Sequence, residues 1–315
     1  MRLNVAYATG EVYAKHAGIS MISLFDNNKN FEEIYVYIID NGISQNTKKK
    51  LLEISFEYNR KIIFIEFNDI CDIRLFKDVG NYSKIIFSKM YLHKIEEIEK
   101  IIYIDCDMIV KDSFYELWEM SMEKYLVAGV RMPTPIQYIQ KFSSGNNDKY
   151  INGGFILFNL ENWRSFNVEE KIKEFMVRHK NDIYIEENII CNICKDSILV
   201  LHPKYNLNGL MIAFNSFQIK KISDEKNYYS QKLIEEAKNF PTIIHFSSEI
   251  YNRPWFRNCN HPYKDEYLKY LKVSPWSSMK LEKDNVQLKI RIRNALRIYL
   301  PFNIYLIIRK LLKSA

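Results

Sequence analysis

The stretch that most constrains this chain is Lys100-Ile101-Ile102-Tyr103-Ile104-Asp105-Cys106-Asp107-Met108-Ile109-Val110. An apolar run of strand length ends on two carboxylates, and a second short apolar run follows. Residues two apart on a strand point to the same side. Extended geometry carried through Cys106 would therefore bring Asp105 and Asp107 together. Two carboxylates at a strand end repel and desolvate each other unless a cation sits between them. Oxygen ligands with open positions suit a hard ion, Mg²⁺ or Mn²⁺. Alone, the motif reads as readily as a polar strand end before a turn; its setting decides.

That setting is an alternation of strands and helices. Leu3–Ala8 reads as a first strand, Thr9-Gly10-Glu11 as a turn, and Val12 to about Asn27 as a helix with Ala14, Ala17, Gly18, Met21, Ile22 and Phe25 at helical spacing. Ile34–Ile39 is a second strand ending at Asp40-Asn41-Gly42, after which Ser44 caps a Lys-rich helix. Ile62–Phe67 is a third strand, residues 83–98 alternate helically, and the Asp-x-Asp strand follows. This order predicts an α/β fold, a mainly parallel sheet with helices on both faces, which offers ligand sites at strand C-termini. Neither a Gly-x-Gly-x-x-Gly nor a Walker phosphate loop is present.

The second half is more mixed. Leu126–Val130, Tyr150–Asn159 and Thr242–Phe246 read as strands, and Val168–His179, Glu186–Cys194 and residues 262–272 as helices. Asn152-Gly153-Gly154 interrupts the second of these strands, and glycine inside a strand often marks close backbone approach to a ligand.

Charge separates the chain into two parts. Residues 280–315 carry nine Lys/Arg and two acids, which accounts for the whole net charge of +7. The remaining body is neutral overall, which argues against a nucleic-acid partner. The sequence thus divides into a single domain over 1–279 and a basic amphipathic segment over 280–315. Within the tail, Val286–Leu300 and Phe302–Leu312 are broken by Pro301, and the longest uncharged stretch is 11 residues. A membrane span needs ~20. A basic amphipathic pair suits the surface of an anionic bilayer, the alternative being a helix packed on its own core or on a second subunit of an oligomer. An odd count of five cysteines and no signal peptide point to a reducing cytoplasm, and Cys191-x-x-Cys194 reads as part of a helix.

Several patches together resemble glycosyltransferase family 8, especially the bacterial lipooligosaccharide and capsule hexosyltransferases. They are Val5-Ala6-Tyr7-Ala8-Thr9 with Tyr13, Tyr37-Ile38-Ile39-Asp40-Asn41-Gly42-Ile43-Ser44, Tyr103-Ile104-Asp105-Cys106-Asp107, Tyr150-Ile151-Asn152-Gly153-Gly154-Phe155 through Asn159-Leu160-Glu161-Asn162-Trp163-Arg164, Ile243-Ile244-His245-Phe246, Arg253-Pro254-Trp255, and Asn260-His261-Pro262. Their order and spacing, over roughly residues 3–276, carry the likeness. The resemblance implies a GT-A fold, a UDP-hexose donor (galactose or glucose) and Mn²⁺ held by Asp105, Asp107 and His245. It implies a uridine edge at Ala8, Thr9, Gly10 and Tyr13, with Cys106 beside it. Arg253 stands for the family's usual diphosphate-binding Lys, and Asn152 and Gly153 line the donor-sugar pocket. Retention of anomeric configuration is implied, with Glu186 on the sugar hydroxyls and Glu187 near the anomeric carbon. The expected acceptor is a lipid-linked or cell-surface glycan at the inner face of the cytoplasmic membrane.

The chain departs from the family pattern at Gly10, where an acid is usual, at Lys89 (Arg), Asn81 (His), Met132 (acid) and Glu186-Glu187 (Asp-Gln). These departures keep in view a catalytically weak nucleotide-sugar-binding scaffold, and the Asp-x-Asp pair, which can also hold Mg²⁺ for phosphate chemistry, keeps in view a metal-dependent nucleotidyl or phosphoryl transferase.

Overall fold

The computed structural model describes residues 1–72, 74, 76, 83–142, 149–225, 227–248, 250–283, 292, 295–297 and 299–314. Asn81 and most of the 286–300 stretch lie outside the described residues. The core is a seven-stranded sheet in the order β3-β2-β1-β4-β7-β6-β8. Here β1 is Arg2–Thr9, β2 Glu33–Asp40, β3 Lys61–Glu66, β4 Lys100–Ile104, β6 Val127–Arg131, β7 Ile151–Asn159 and β8 Ile198–Val200. Strands β1 to β4 are parallel, β7 runs antiparallel between β4 and β6, and β8 is parallel to β6.

Side chains alternate across this sheet as the pleat requires. Leu3, Val5 and Tyr7 enter one core, and Ala6 and Ala8 the other. Helix α1 (Glu11–Asn27) leaves β1 within two residues and is buried along most of its length, from Ala14 to Phe25. Helix α2 (Gln45–Glu57) is capped by Ser44, whose hydroxyl accepts from Thr47 N–H. Glu11 accepts from Ser44 N at 2.8 Å and Thr47 Oγ1 at 2.8 Å, tying the two helix starts together at the C-terminal edge of the sheet.

Two details differ from the sequence expectation. The stretch before β4 is a 3₁₀ segment, Lys84–Lys94, rather than an α-helix. It is clamped from below: Trp163 Nε1 donates to Met90 O at 3.0 Å, and Arg164 donates to the carbonyls of His93, Ile95 and Ile98. The strand at Thr242–Phe246 forms as β9 (Ile243–His245), but outside the main sheet. It pairs antiparallel with β5 (Met108–Val110) in a separate two-stranded ribbon, with Met108 opposite His245.

Past residue 280, described residues on either side of the 284–291 stretch contact the body. Glu282 N donates to Trp255 O at 2.8 Å, and Glu282 pairs with Lys15 at 2.6 Å. The helix Phe302–Ser314 docks through Tyr305, 1% exposed, whose ring stacks with Phe214. Ile304, Ile307 and Leu311 on this helix are exposed.

Candidate active site

Strand β4 stops at Ile104, so Asp105 and Asp107 converge by a different route from the expected extended strand. Asp105-Cys106-Asp107 is a turn. Its first residue is held by Asp105 N donating to Gly154 O at 2.8 Å. Its last is held by Phe246 N donating to Asp107 O at 2.9 Å. That second bond, with the β5–β9 ribbon, carries His245 to the carboxylates. Ligand atoms of Asp105, Asp107 and His245 all lie within 4.8 Å of one another. His245 Nε2 is 3.4 Å from Asp107 Oδ1. Two carboxylates and one imidazole form a donor set that fits Mn²⁺ or Mg²⁺ and leaves positions for other oxygens.

The electrostatics fit a cation site. Burial works against charge on Asp107, but His245 and Arg253 beside it hold its carboxyl well below the usual range. Burial pulls the other way on His245, and the Asp107 carboxylate outweighs it, so the imidazole sits above its ordinary value.

One flank is built by Arg253 and Tyr13. Arg253 Nη2 donates to Asp107 Oδ2 at 3.0 Å and Nη1 to the Tyr13 hydroxyl at 2.6 Å. The guanidinium also lies over the Trp255 ring, 5.4 Å from its centroid. Ala8, Thr9 and Gly10 form the β1–α1 edge here. Thr9 Oγ1 donates to Gly10 O at 3.0 Å, and Cys106 Sγ faces Ala8 O at 3.7 Å, so that thiol is turned into the β1–β4 seam.

The opposite flank is built by Lys89, Asn152, Gly153, Glu186 and Glu187. Lys89, 1% exposed, donates to Glu186 Oε1 and Gly153 O, both at 2.8 Å, and lies 3.8 Å from Asp105 Oδ1. Burial favours its neutral form, but the charges of Glu186 and Asp105 outweigh that and raise its pKa. Glu187 Oε2 accepts from Gly153 N at 2.8 Å and Asn152 Nδ2 at 3.3 Å. Burial pushes Glu187 up to about 8, against the donors around it. Met132 touches Asn152, with Sδ 3.9 Å from Nδ2. The glycines supply room: a Cβ on Gly153 would meet Glu186 Oε1 at 2.8 Å, and one on Gly154 would meet Asp105 Oδ2 at 2.7 Å.

Reading the sequence gave no site role to Asn206 or to Tyr150. Asn206, 0% exposed, donates through Nδ2 to Asn152 Oδ1 at 2.8 Å and faces His245 Nδ1 at 3.0 Å through Oδ1. The Tyr150 hydroxyl accepts from Asn188 Nδ2 at 2.7 Å and hydrogen-bonds Glu187. An isolated Asn or Tyr carries no local pattern, and only the tertiary pairing exposes their roles.

Known proteins match this chain over most of its length. General stress protein A of Bacillus subtilis is 27% identical over 88% of this chain and 96% of its own length. Lipopolysaccharide 1,2-glucosyltransferase of Escherichia coli K12 is 22% identical over 93% of this chain and 85% of its own. Among solved structures, galactosyltransferase LgtC in complex with donor and acceptor sugar analogues superposes with a TM-score of 0.71 at 18% identity, covering 92% of this chain and 99% of LgtC. The bifunctional glycosyltransferase WbbM also superposes at 0.71 and 16% identity, with 88% of this chain spanning half of that one. Residues 4–259 match the family described as glycosyl transferase family 8. The chain therefore belongs to glycosyl transferase family 8 and is a glycosyltransferase of the GT-A fold.

Proposed function

We propose that this protein is a retaining hexosyltransferase that moves galactose or glucose from a UDP-sugar to a membrane-linked surface glycan, forming an α-linkage with Mn²⁺. The observation that carries the reading is the cluster of Asp105, Asp107 and His245 set between two unlike flanks. When bound, the ion supplies Lewis acidity where negative charge grows on the departing UDP. Arg253 is placed to grip a diphosphate with its planar fork, and Tyr13 to line the base. Asn152, Gly153 and Glu186 are placed to hold the sugar. Glu187 stands where a group near the anomeric carbon would be. Protonated below about pH 8, it donates and accepts as an amide does. It therefore stands in for the Gln usual in the family and orients rather than attacks. The acceptor hydroxyl then approaches from the leaving-group face, and a UDP phosphate oxygen takes its proton.

Support for a membrane-linked acceptor lies in the C-terminal helix. Among the described residues no helix is long and apolar enough to cross a bilayer. Ile304, Ile307 and Leu311 are exposed and spaced along one stripe of this helix, in a stretch whose sequence also carries Arg309, Lys310 and Lys313, a composition that suits an anionic surface. This would place the enzyme peripherally at the inner face of the cytoplasmic membrane. Replacing all three with Ser should abolish sedimentation with phosphatidylglycerol vesicles while leaving UDP-sugar hydrolysis intact; undiminished sedimentation would remove this part of the reading.

The test of the activity is UDP release from a panel of UDP-sugars, with and without Mn²⁺, on the wild type and on Asp105→Asn. Mn²⁺-dependent release from one UDP-hexose, lost in the variant, is the expected result. UDP binding with no turnover even in membrane extract would favour a nucleotide-sugar-binding scaffold instead. Release of phosphate or pyrophosphate would favour a phosphoryl or nucleotidyl transferase.

A further inference from the structure

The direction of each hydrogen bond around Asn206 can be fixed from one backbone group. Gly154 N donates to Asn152 Oδ1 at 3.1 Å, and a backbone N–H can only donate. The acceptor atom on Asn152 is therefore its oxygen. Asn206 reaches that same oxygen at 2.8 Å, so Asn206 presents its amide nitrogen there. Its remaining terminal atom is oxygen, and it faces His245 Nδ1 at 3.0 Å. A carboxamide oxygen only accepts. His245 Nδ1 must therefore carry a hydrogen, which leaves the Nε2 lone pair of the neutral ring directed at the Asp107 side of the cluster. That is the ring form a metal ligand needs.

The same polarity continues toward the sugar flank. With its oxygen committed, Asn152 turns Nδ2 to Glu187 Oε2 at 3.3 Å. Asn206 itself is held by the strand that carries His245. Leu207 N donates to Ile243 O at 3.0 Å, and His245 N donates to Leu207 O at 2.9 Å. The backbone thus fixes Asn206 against His245 whether or not the side chains bond.

We propose that Asn206 is a positioning residue: it holds His245 as the Nδ1–H tautomer and, through Asn152, joins the metal ligand and the sugar-facing amide into one hydrogen-bonded unit. This rests on the reading of Asp105, Asp107 and His245 as the metal-binding set.

Histidine-selective ¹⁵N NMR of the protein without metal, with the pH raised until the His245 shifts stop changing and the ring is neutral, reads the tautomer directly. The wild type should show His245 as Nδ1–H. Asn206→Leu should lose that preference and weaken Mn²⁺ binding about 10- to 100-fold, the usual cost of removing a partner of a ligating His. Asn206→Asp separates the two arms. It still accepts from Nδ1–H, so the tautomer and the Mn²⁺ affinity should hold within about threefold. Its second oxygen opposes Asn152 Oδ1, so KM for the UDP-hexose should rise about tenfold or more. A wild-type Nε2–H tautomer would overturn the proposal. So would a folded Asn206→Leu that keeps Nδ1–H and full Mn²⁺ affinity. If the Leu variant does not fold, the Asp variant decides, and an unchanged KM there overturns the link to Asn152. A wild type with the Nδ1–H tautomer but no Mn²⁺ binding would instead defeat the metal reading while sustaining the tautomer assignment.

Discussion

The two flanks of the Asp105–Asp107–His245 cluster are built to different standards. On one side, Lys89 and Glu186 are buried charges paired to each other, and Lys89 also holds a backbone carbonyl. On the other, the Arg253 side chain is 25% exposed and packs against rings rather than under a sheet. The proposed function, with the sugar on the Lys89 side and the diphosphate on the Arg253 side, accounts for the difference. Sugars are told apart by hydroxyl positions, and a site of buried polar groups, with Glu186 Oε1 paired and its buried Oε2 left without a partner among the described residues, penalises a misplaced hydroxyl strongly. A diphosphate arrives with its own charge, so an Arg that can leave Asp107 for phosphate oxygens serves better than one locked in place.

Breaking the sugar side should therefore cost the fold first. Lys89→Met strands Glu186 and the Gly153 carbonyl. We expect a loss of about 3–5 kcal/mol in unfolding free energy by urea denaturation; a loss below about 1 kcal/mol would erase the contrast between the flanks. On the other side, Arg253→Gln should weaken UDP binding about 10- to 30-fold, roughly 1.4–2 kcal/mol, while changing stability by less than about 1 kcal/mol. Calorimetric titration with UDP alongside the same urea series checks both halves.

Glu187 gives no pH-dependent effect below about pH 4 and the sharpest pH signature above it. Burial raises its folded pKa to about 8, well above the ordinary carboxylate value of about 4.3 in the unfolded chain. The folded state then keeps a proton that the unfolded state sheds. Its contribution is fully present below about pH 4 and is lost as pH rises through about 8. Glu187→Gln removes that loss. The variant and wild type should keep a constant difference below about pH 4, and the variant should gain on the order of 4–5 kcal/mol relative to wild type by pH 8 to 9. Parallel melting curves at every pH would mean that Glu187 is ionised in the fold. Undiminished transfer by the same variant would exclude an obligatory nucleophile at this position.

Much of this fold could be read along the chain because local periodicity decides it. The first strands, α1 and α2, the Ser44 cap and the pairing of Asp105 with Asp107 all announce themselves within a few residues, although the pair converges through a turn and not through the extended strand end its spacing suggests. The pairing of β5 with β9 does not, because it joins segments far apart and each strand is only three residues long. The sequence could suggest His245 only through resemblance; the ribbon is what delivers it to Asp107. Lys89 shows the same limit. Its stretch looks helical, but nothing local says that Trp163 and Arg164 will clamp the segment so that this Lys points under Gly153. The Asn159-to-Arg164 patch, which figured only as part of the resemblance, thus has a physical task of its own.

The central claim is that Asp105, Asp107 and His245 form one divalent-metal site. Mn²⁺ titration followed by electron paramagnetic resonance, with and without UDP, tests it directly on the wild type, Asp107→Asn and Gly154→Ala. A methyl group on Gly154 would stand 2.7 Å from Asp105 Oδ2 and displace that carboxylate without touching its charge. The account predicts one Mn²⁺ site in the wild type, tightened by UDP, and a loss of at least about 100-fold in both variants. Wild-type affinity in both variants would place the ion elsewhere and contradict the account.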